Sequence, residues 1–258
     1  MKTLEFQAVV LAAGKGKRMG SDLPKVLLPL CGRPIISHVL SLLAEVGIRR
    51  PVIVISREGD VIRETLGDDH SYVVQGEQLG SGHAVLCARD AAQGAKNIIV
   101  MCGDSPLFRV ETVRSLMREH VGRKAAITLA SAVLDDPHGY GRILRDSDGE
   151  VSGIVEETLA SEEQKSIEEI NGGCYGFDAE WLWGNIGLMT KNEAGEYCLT
   201  EMVDIAIRQG RKVITVSSQP DEVAGINTPE QLLDAERMLC IRLGDKGTGR
   251  QGEKAKET

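Results

Sequence analysis

No apolar run in the 258-residue chain approaches the roughly 20 residues that would span a bilayer, so a membrane-spanning helix is not expected. Lys2, Glu5 and Gln7 break up the first residues, which argues against a secretory leader. The six cysteines (Cys31, Cys87, Cys102, Cys174, Cys198, Cys240) form no C-x-x-C pair and no zinc spacing. They are expected to be reduced and mostly buried, with the cytoplasm as the protein's address. Basic residues are not in excess: the formal charge is −8, which excludes general nucleic-acid or membrane-surface binding. No hexapeptide repeat occurs, and the P-loop spacing G-x-x-x-x-G-K-[ST] is missing.

What is present is ordinary globular composition, 42% hydrophobic and 26% charged, enough to bury the core of one large α/β domain. Near the start, the apolar run Ala8 to Leu11 reads as a buried strand that empties into Ala12-Ala13-Gly14-Lys15-Gly16-Lys17-Arg18-Met19-Gly20. Glycines let backbone N–H groups close around phosphate oxygens, and Lys15, Lys17, Arg18 and Lys25 gather cations about the same loop. Gly14 and Gly16 nearly meet the dinucleotide fingerprint G-x-G-x-x-G, but its third glycine is Met19. Arg18 and Lys25 point instead to a triphosphate whose charge is met by side chains. A basic surface turn is the alternative on these residues alone.

The loop L-A-A-G-x-G-x-R-M followed by Pro24-Lys25 resembles the signature of the sugar-phosphate nucleotidyltransferases. The resemblance continues through Gln75 to Ala84, Gly103 to Leu107, Gly139 to Ile143, Glu169 to Gly173 and Gly225 to Asn227, in order and over nearly the whole chain. Within that family it is similar to the uridyltransferase half of the bifunctional bacterial enzymes that act on N-acetylglucosamine-1-phosphate. Those enzymes continue into an acetyltransferase β-helix; no such half is expected here, nor the acetyltransferase activity or a trimer built through that β-helix.

Along the chain, Ile35, Val39, Leu42, Leu43 and Val46 form one helical stripe, with Pro34 at its entry and Gly47 at its exit. Strands are expected at Val52 to Ile55, Tyr72 to Gln75 and Asn97 to Met101, and helices at Val61 to Leu66 and His83 to Ala92. This rhythm predicts an α/β fold with a doubly wound, mainly parallel sheet, its ligands at the carboxyl ends of the strands. From about residue 135 to 200 the pattern changes. Tyr140 to Leu144 and Val151 to Val155 flank a hairpin turn, and a polar helix (Ser161 to Glu168) and the strand Cys174 to Phe177 follow, which reads as a small β-rich substrate lobe. Trp181 and Trp183 read as packing residues. A helix (Thr200 to Arg208) and a strand (Lys212 to Val216) return to the main sheet. The Thr228 to Gln231 capping-box spacing starts a last helix expected to end near Leu243, closing a domain over 1–243 with a disordered tail over 244–258.

The reaction implied by the resemblance is Mg²⁺-dependent transfer of UMP from UTP to N-acetylglucosamine-1-phosphate, with no nucleophile on the protein. Arg18 and Lys25 are the expected catalytic cations; in the family the place of Lys17 is usually threonine. Leu11, Ala12, Ala13, Gly14, Gln75, Gly80 and Ser81 are expected to bind the nucleotide. Gly141, Glu156 and Asn171 are expected on the sugar, with Glu196 and Tyr197 at its border. Taken alone, Glu156 is also an ordinary acidic strand end. Asp104, at the end of an apolar strand, is the candidate metal ligand or a turn residue, and the resemblance adds Asn227. The histidines read as structural, and Glu162, Glu163, Glu168 and Glu169 as a solvated face. Alternatives are another sugar-1-phosphate such as glucose-1-phosphate, or a non-catalytic sugar-nucleotide-binding regulatory subunit.

Overall fold

A computed structural model describes residues 5–14, 16, 19–21 and 23–252, with side chains as far as residue 242. The first strand, β1 (Phe6–Leu11), has Ala8, Val9 and Val10 wholly enclosed, because helices cover both faces of the sheet it enters. A short antiparallel pair, β2 (Pro29–Leu30) and β3 (Arg33–Pro34), precedes α1 (Ile35–Glu45). Then come β4 (Val52–Ser56), α2 (Asp60–Leu66), β5 (Ser71–Gln75), α3 (Ser81–Cys87), β6 (Asn97–Cys102), α4 (Val110–Arg123) and β7 (Ile127–Val133). The second half contributes β8 (Arg142–Arg145), β9 (Val151–Val155), α5 (Glu162–Lys165), β10 (Glu169–Asp178), α6 (Ala179–Asn185), α7 (Glu201–Arg208), β11 (Val213–Ser217) and α8 (Pro229–Gly252).

The main sheet runs β11-β7-β10-β6-β1-β4-β5, with the hairpin β8–β9 attached to β10. Its pairs are parallel except those of β10, which runs antiparallel to both β6 and β7. In register, Leu11 lies beside Val54 on one side and Cys102 on the other, so three strand ends share one edge. At that edge the Gly103 N–H donates to Leu11 O and the Ala12 N–H to Val54 O, both at 2.8 Å. A side chain at Gly103 would put its Cβ 3.2 Å from Leu11 O, so the loop after β6 sits directly on the end of β1.

Several expectations need correction. The strand at 174–177 belongs to the main sheet as part of β10, so the small lobe reduces to the β8–β9 hairpin, α5 and their loops. Glu169 is not on a solvated face: it opens β10 and holds Arg145 Nε at 2.7 Å and Ser131 Oγ at 2.8 Å. Helix α3 starts at Ser81 and ends at Cys87, giving way to turns before β6. Of the cysteines only Cys174 is buried; Cys240 is exposed and the rest are half-buried, since most sit at element ends. Helix α8 runs to Gly252, past the end expected near Leu243. Glycines weaken a helix without forbidding it, and no proline interrupts this stretch. Residues 253–258 lie outside the described residues. No helix among those described is long and apolar enough to cross a membrane.

Trp181 packs in the core with its Nε1 donating to Gln209 Oε1 at 2.8 Å, and Trp183 packs against the same cluster. At the start of α8 the expected cap is present but offset. Thr228 Oγ1 accepts from the Gln231 N–H at 3.3 Å, while Gln231 Oε1 accepts from the Asn227 N–H at 2.8 Å.

Candidate active site

A cleft of about 550 Å³ opens over the carboxyl ends of β1, β5 and β6. Leu11, Ala12, Ala13, Gly14, Gln75, Gly80 and Ser81 all line it, together with Lys25 and Asp104. The wall opposite β1 is made by two backbone segments stitched to each other. Tyr197 N–H donates to Leu79 O and Gly82 N–H to Tyr197 O, each at 2.8 Å, and the Leu199 N–H donates to Ser81 Oγ at 3.0 Å. Gly80 sits inside this stitch at φ +96, where an added Cβ would lie 2.6 Å from Tyr197 O. Only glycine fits.

Gln75, at the end of β5, is buried. Its Nε2 donates to Gly80 O at 3.0 Å and meets His83 Nδ1 at 3.1 Å. With the imidazole in the tautomer that accepts there, both amide hydrogens are committed to the protein. The Gly80 carbonyl fixes the sense of the amide, so Gln75 keeps its Oε1, an acceptor, for a ligand. His83 thus meets Gln75 through its Nδ1. Gln78, also on the cleft, donates from Nε2 to Ala13 O, while its buried Oε1 meets no partner among the described residues.

Lys25 opens a short 3-10 turn over Lys25–Leu27, and its ammonium joins two distant elements. It pairs with Asp104 and donates to Asn227 Oδ1 at 2.9 Å. The loop that carries Asn227 is tied to Asp104 directly, since the Ile226 N–H donates to Asp104 O at 3.1 Å. Behind it, the buried Glu222 anchors the chain before Asn227. Its carboxylate accepts from the Arg109 N–H at 2.8 Å, Thr112 Oγ1 at 2.9 Å and the Gln219 N–H at 3.1 Å, capping α4 as it does so. Two oxygen donors, a carboxylate and an amide, are therefore held around one positive charge. Among the described residues no three His, Cys, Asp or Glu side chains cluster as a metal cage. A site with two protein oxygens suits a cation such as Mg²⁺, which keeps waters and takes phosphate oxygens for the remainder. Arg18, with Lys15 and Lys17, lies outside the described residues.

Gly141, Glu156 and Asn171 come together from three elements of the second half. The Asn171 N–H donates to Gly141 O at 2.8 Å, and the Cβ position of Gly141 lies 3.4 Å from Glu156 Oε2. Glu156 Oε1 accepts from Thr200 Oγ1 at 2.7 Å, so its other oxygen faces Gly141. The pKa of the Cys102 thiol, half-buried on the cleft, is raised to about 12 by burial and then by the Asp104 charge, with Lys25 opposing. The side chain remains a neutral thiol. Sequence reasoning did not single out Gln78, Thr200 or Tyr175. Gln78 and Thr200 lay inside matching segments, whereas nothing in the sequence marked Tyr175. Glu196, expected at the border of the sugar, lines the cleft with Lys25 and Asp104.

The description "MobA-like NTP transferase domain" matches residues 8–153, more than half of the chain. The chain belongs to this family. It is 46% identical over 242 residues to the bifunctional protein GlmU of Heliobacterium modesticaldum, covering 93% of this chain and 53% of that protein. It is 41% identical over 240 residues to GlmU of Geobacillus thermodenitrificans, covering 92% and 52%. The chain therefore spans about half the length of these relatives. Among solved structures it resembles a putative glucose-1-phosphate thymidylyltransferase from Bacillus anthracis, with a TM-score of 0.74 at 21% identity over 90% of this chain and 94% of that one. That likeness bears out the predicted doubly wound, mainly parallel α/β fold.

Proposed function

We propose that the chain is a sugar-1-phosphate uridyltransferase that joins UMP from UTP to N-acetylglucosamine-1-phosphate and releases pyrophosphate. The observation that carries the reading is the cleft at the sheet edge. It gathers backbone-lined space, the Gln75 acceptor and the Lys25–Asp104–Asn227 group, with the Gly141–Glu156–Asn171 set presented from the second half. Gln75 Oε1 suits the N3–H of uracil, where cytosine offers an acceptor and would be opposed. Thymine shares that N3–H, so the nucleotide choice between UTP and dTTP falls to other contacts.

A phosphate oxygen of the sugar-1-phosphate attacks the α-phosphorus. The new P–O bond forms as the bond from that phosphorus to the β-bridging oxygen breaks, and pyrophosphate leaves with the electron pair. No proton-transfer group on the protein is required, so alignment and charge neutralisation do the work. Lys25 supplies a fixed positive charge at the phosphates, and Arg18 is assigned to the same task. Asp104 and Asn227 would hold Mg²⁺, which when bound neutralises phosphate charge between the two substrates. Glu156 and Asn171 offer acceptors and a donor to sugar hydroxyls, and the Gly141 N–H serves an acyl oxygen. The retention of Lys25, Asp104 and Asn227 in one group argues against a non-catalytic sensor.

The test is pyrophosphate release with Mg²⁺ across UTP, dTTP, CTP and GTP, each paired with N-acetylglucosamine-, glucose- and glucosamine-1-phosphate. Release led by UTP with the N-acetylated sugar is expected. Release led by another pair moves the substrate, and its absence from folded protein with every pair removes the reading.

A further inference from the structure

Tyr175 is a buried polar residue to which the proposed mechanism assigns no task. Its place follows from a defect in β10. The register against β7 shifts between Asn171 and Tyr175, and within that bulge Gly173 takes φ +79, in the left-handed region. The bulge brings together side chains four residues apart: Asn171 Nδ2 donates to Tyr175 Oη. On the other side of the same amide, Asn171 Oδ1 accepts from the Gly173 N–H at 3.1 Å. The Asn171 backbone is pinned as well, by its N–H to Gly141 O at 2.8 Å.

A side-chain amide has two N–H donors and two acceptor lone pairs. With one of each engaged inside β10, a single donor and a single acceptor remain, both with fixed direction. Reversing the amide would set Nδ2 against the Gly173 N–H, donor to donor. The phenol is pushed well above its ordinary value by burial, Asn171 opposing and Glu156 adding to the rise, so it stays a neutral hydroxyl. It is thus a constant acceptor for Asn171.

We propose that Tyr175 is a positioning residue that sets sugar selectivity by locking the Asn171 amide, without touching the sugar itself. This rests on the uridyltransferase reading and on the place of Asn171 in its sugar site. A locked amide matches one arrangement of hydroxyls, whereas a free one adapts to several and holds each less firmly.

The experiment compares wild type, Tyr175→Phe, Asn171→Ala and the double variant. Tyr175→Phe keeps the ring and removes one oxygen. It is expected to raise KM for N-acetylglucosamine-1-phosphate about tenfold. The KM for UTP and kcat stay within about twofold, the preference over glucose-1-phosphate narrows, and Tm falls by no more than about 4 °C. In the Asn171→Ala background, Tyr175→Phe should cause no further change in sugar KM. The Asn171 side-chain NH₂ signals in ¹⁵N spectra should move toward those of a free amide in Tyr175→Phe. An active wild type with an unaltered sugar KM in Tyr175→Phe overturns this inference and leaves the uridyltransferase reading standing. Parallel rises in both KM values with a large Tm loss overturn it in favour of a purely structural role. Absence of turnover in folded wild type fails the reading and this inference together.

Discussion

Gly80→Ala tests whether the cleft depends on the backbone stitch between residues 79–82 and 197–199. Gly80 adopts φ +96 and ψ 175, a region that side-chain-bearing residues enter at a cost of about 1–3 kcal/mol. The added methyl would also lie 2.6 Å from Tyr197 O, 2.9 Å from Tyr197 N and 3.1 Å from Glu196 Cβ. Two of these neighbours are backbone atoms that hydrogen bonds hold in place, so relief requires the wall to open. Overpacking of that kind adds about 1–3 kcal/mol. Gly94→Ala is the matched control: Gly94 has φ +85 but no atom within 4 Å of its Cβ position, so it carries backbone strain alone. The difference between the two variants should be about 2 kcal/mol, or about 4–8 °C in Tm for a chain of this size. Urea unfolding with a check on the m-value measures it. The opened wall should raise KM for UTP severalfold in Gly80→Ala and leave it unaltered in Gly94→Ala. Equal Tm losses with unchanged UTP kinetics in both would refute the reasoning, because the contact with Tyr197 would then carry no energy.

Lys25→Met should lower kcat by about 10²–10³ in a steady-state pyrophosphate assay, the usual scale for losing one fixed charge at a developing anion; a loss below tenfold would take Lys25 out of the reaction. Asp104→Ala should abolish Mg²⁺-dependent turnover while the protein stays folded by circular dichroism, and substantial residual turnover would remove the metal assignment. Gln75→Glu sets a carboxylate against Gly80 O and should weaken use of UTP more than binding of the sugar phosphate; an unchanged nucleotide preference would exclude Gln75 from base reading. His120 is buried beside Thr128, and desolvation lowers its pKa from 6.5 to about 4. Between those values the unfolded chain binds the proton and the native chain does not, so its stability contribution is complete above about pH 6.5 and is lost as pH falls toward 4. The loss is about 3 kcal/mol in full, and His120→Gln should flatten that part of a denaturant-unfolding pH profile.

The parts of the fold that the sequence foretold are those written in periodicity. Ala8 to Leu11 is apolar without interruption because it is covered on both faces, and the stripe from Ile35 to Val46 repeats with the helix. Strand direction has no such signature. Cys174 to Phe177 was recognisable as a strand, but its place between β6 and β7 depends on pairing far along the chain, with Cys174 beside Met101 and Tyr175 beside Leu129. The same limit applies to Glu169, whose acidic neighbours suggested a solvated face until Arg145 and Ser131 were found around it. In the site, motif spacing was enough to nominate residues that the structure gathers on one cleft, since loops at parallel strand ends converge by topology. Tyr175 was silent because its role arises from a shift of register in which β10 advances four residues against two of β7, and the glycines within it, Gly172 and Gly173, look like any flexible stretch.

That antiparallel strand is what divides the labour of the site. Loops after β1, β5 and β6 come from parallel strands ending at one edge, and they line the cleft that the proposed reading gives to the nucleotide. A sugar needs directional side-chain contacts, which a row of parallel strand ends does not supply from a second direction. β10 begins at that edge and runs the other way, so its first residues, Asn171 among them, stand beside the ends of the parallel strands. The hairpin β8–β9 hangs from the same strand and brings Gly141 and Glu156 to Asn171. On the proposed reading, sugar selection can therefore change with the hairpin and the bulge while the loops around the cleft stay as they are. It follows that substitutions confined to Asn171, Tyr175 and Thr200 should shift sugar preference with little effect on nucleotide preference. Gln75 and Gly80 should act in the opposite sense.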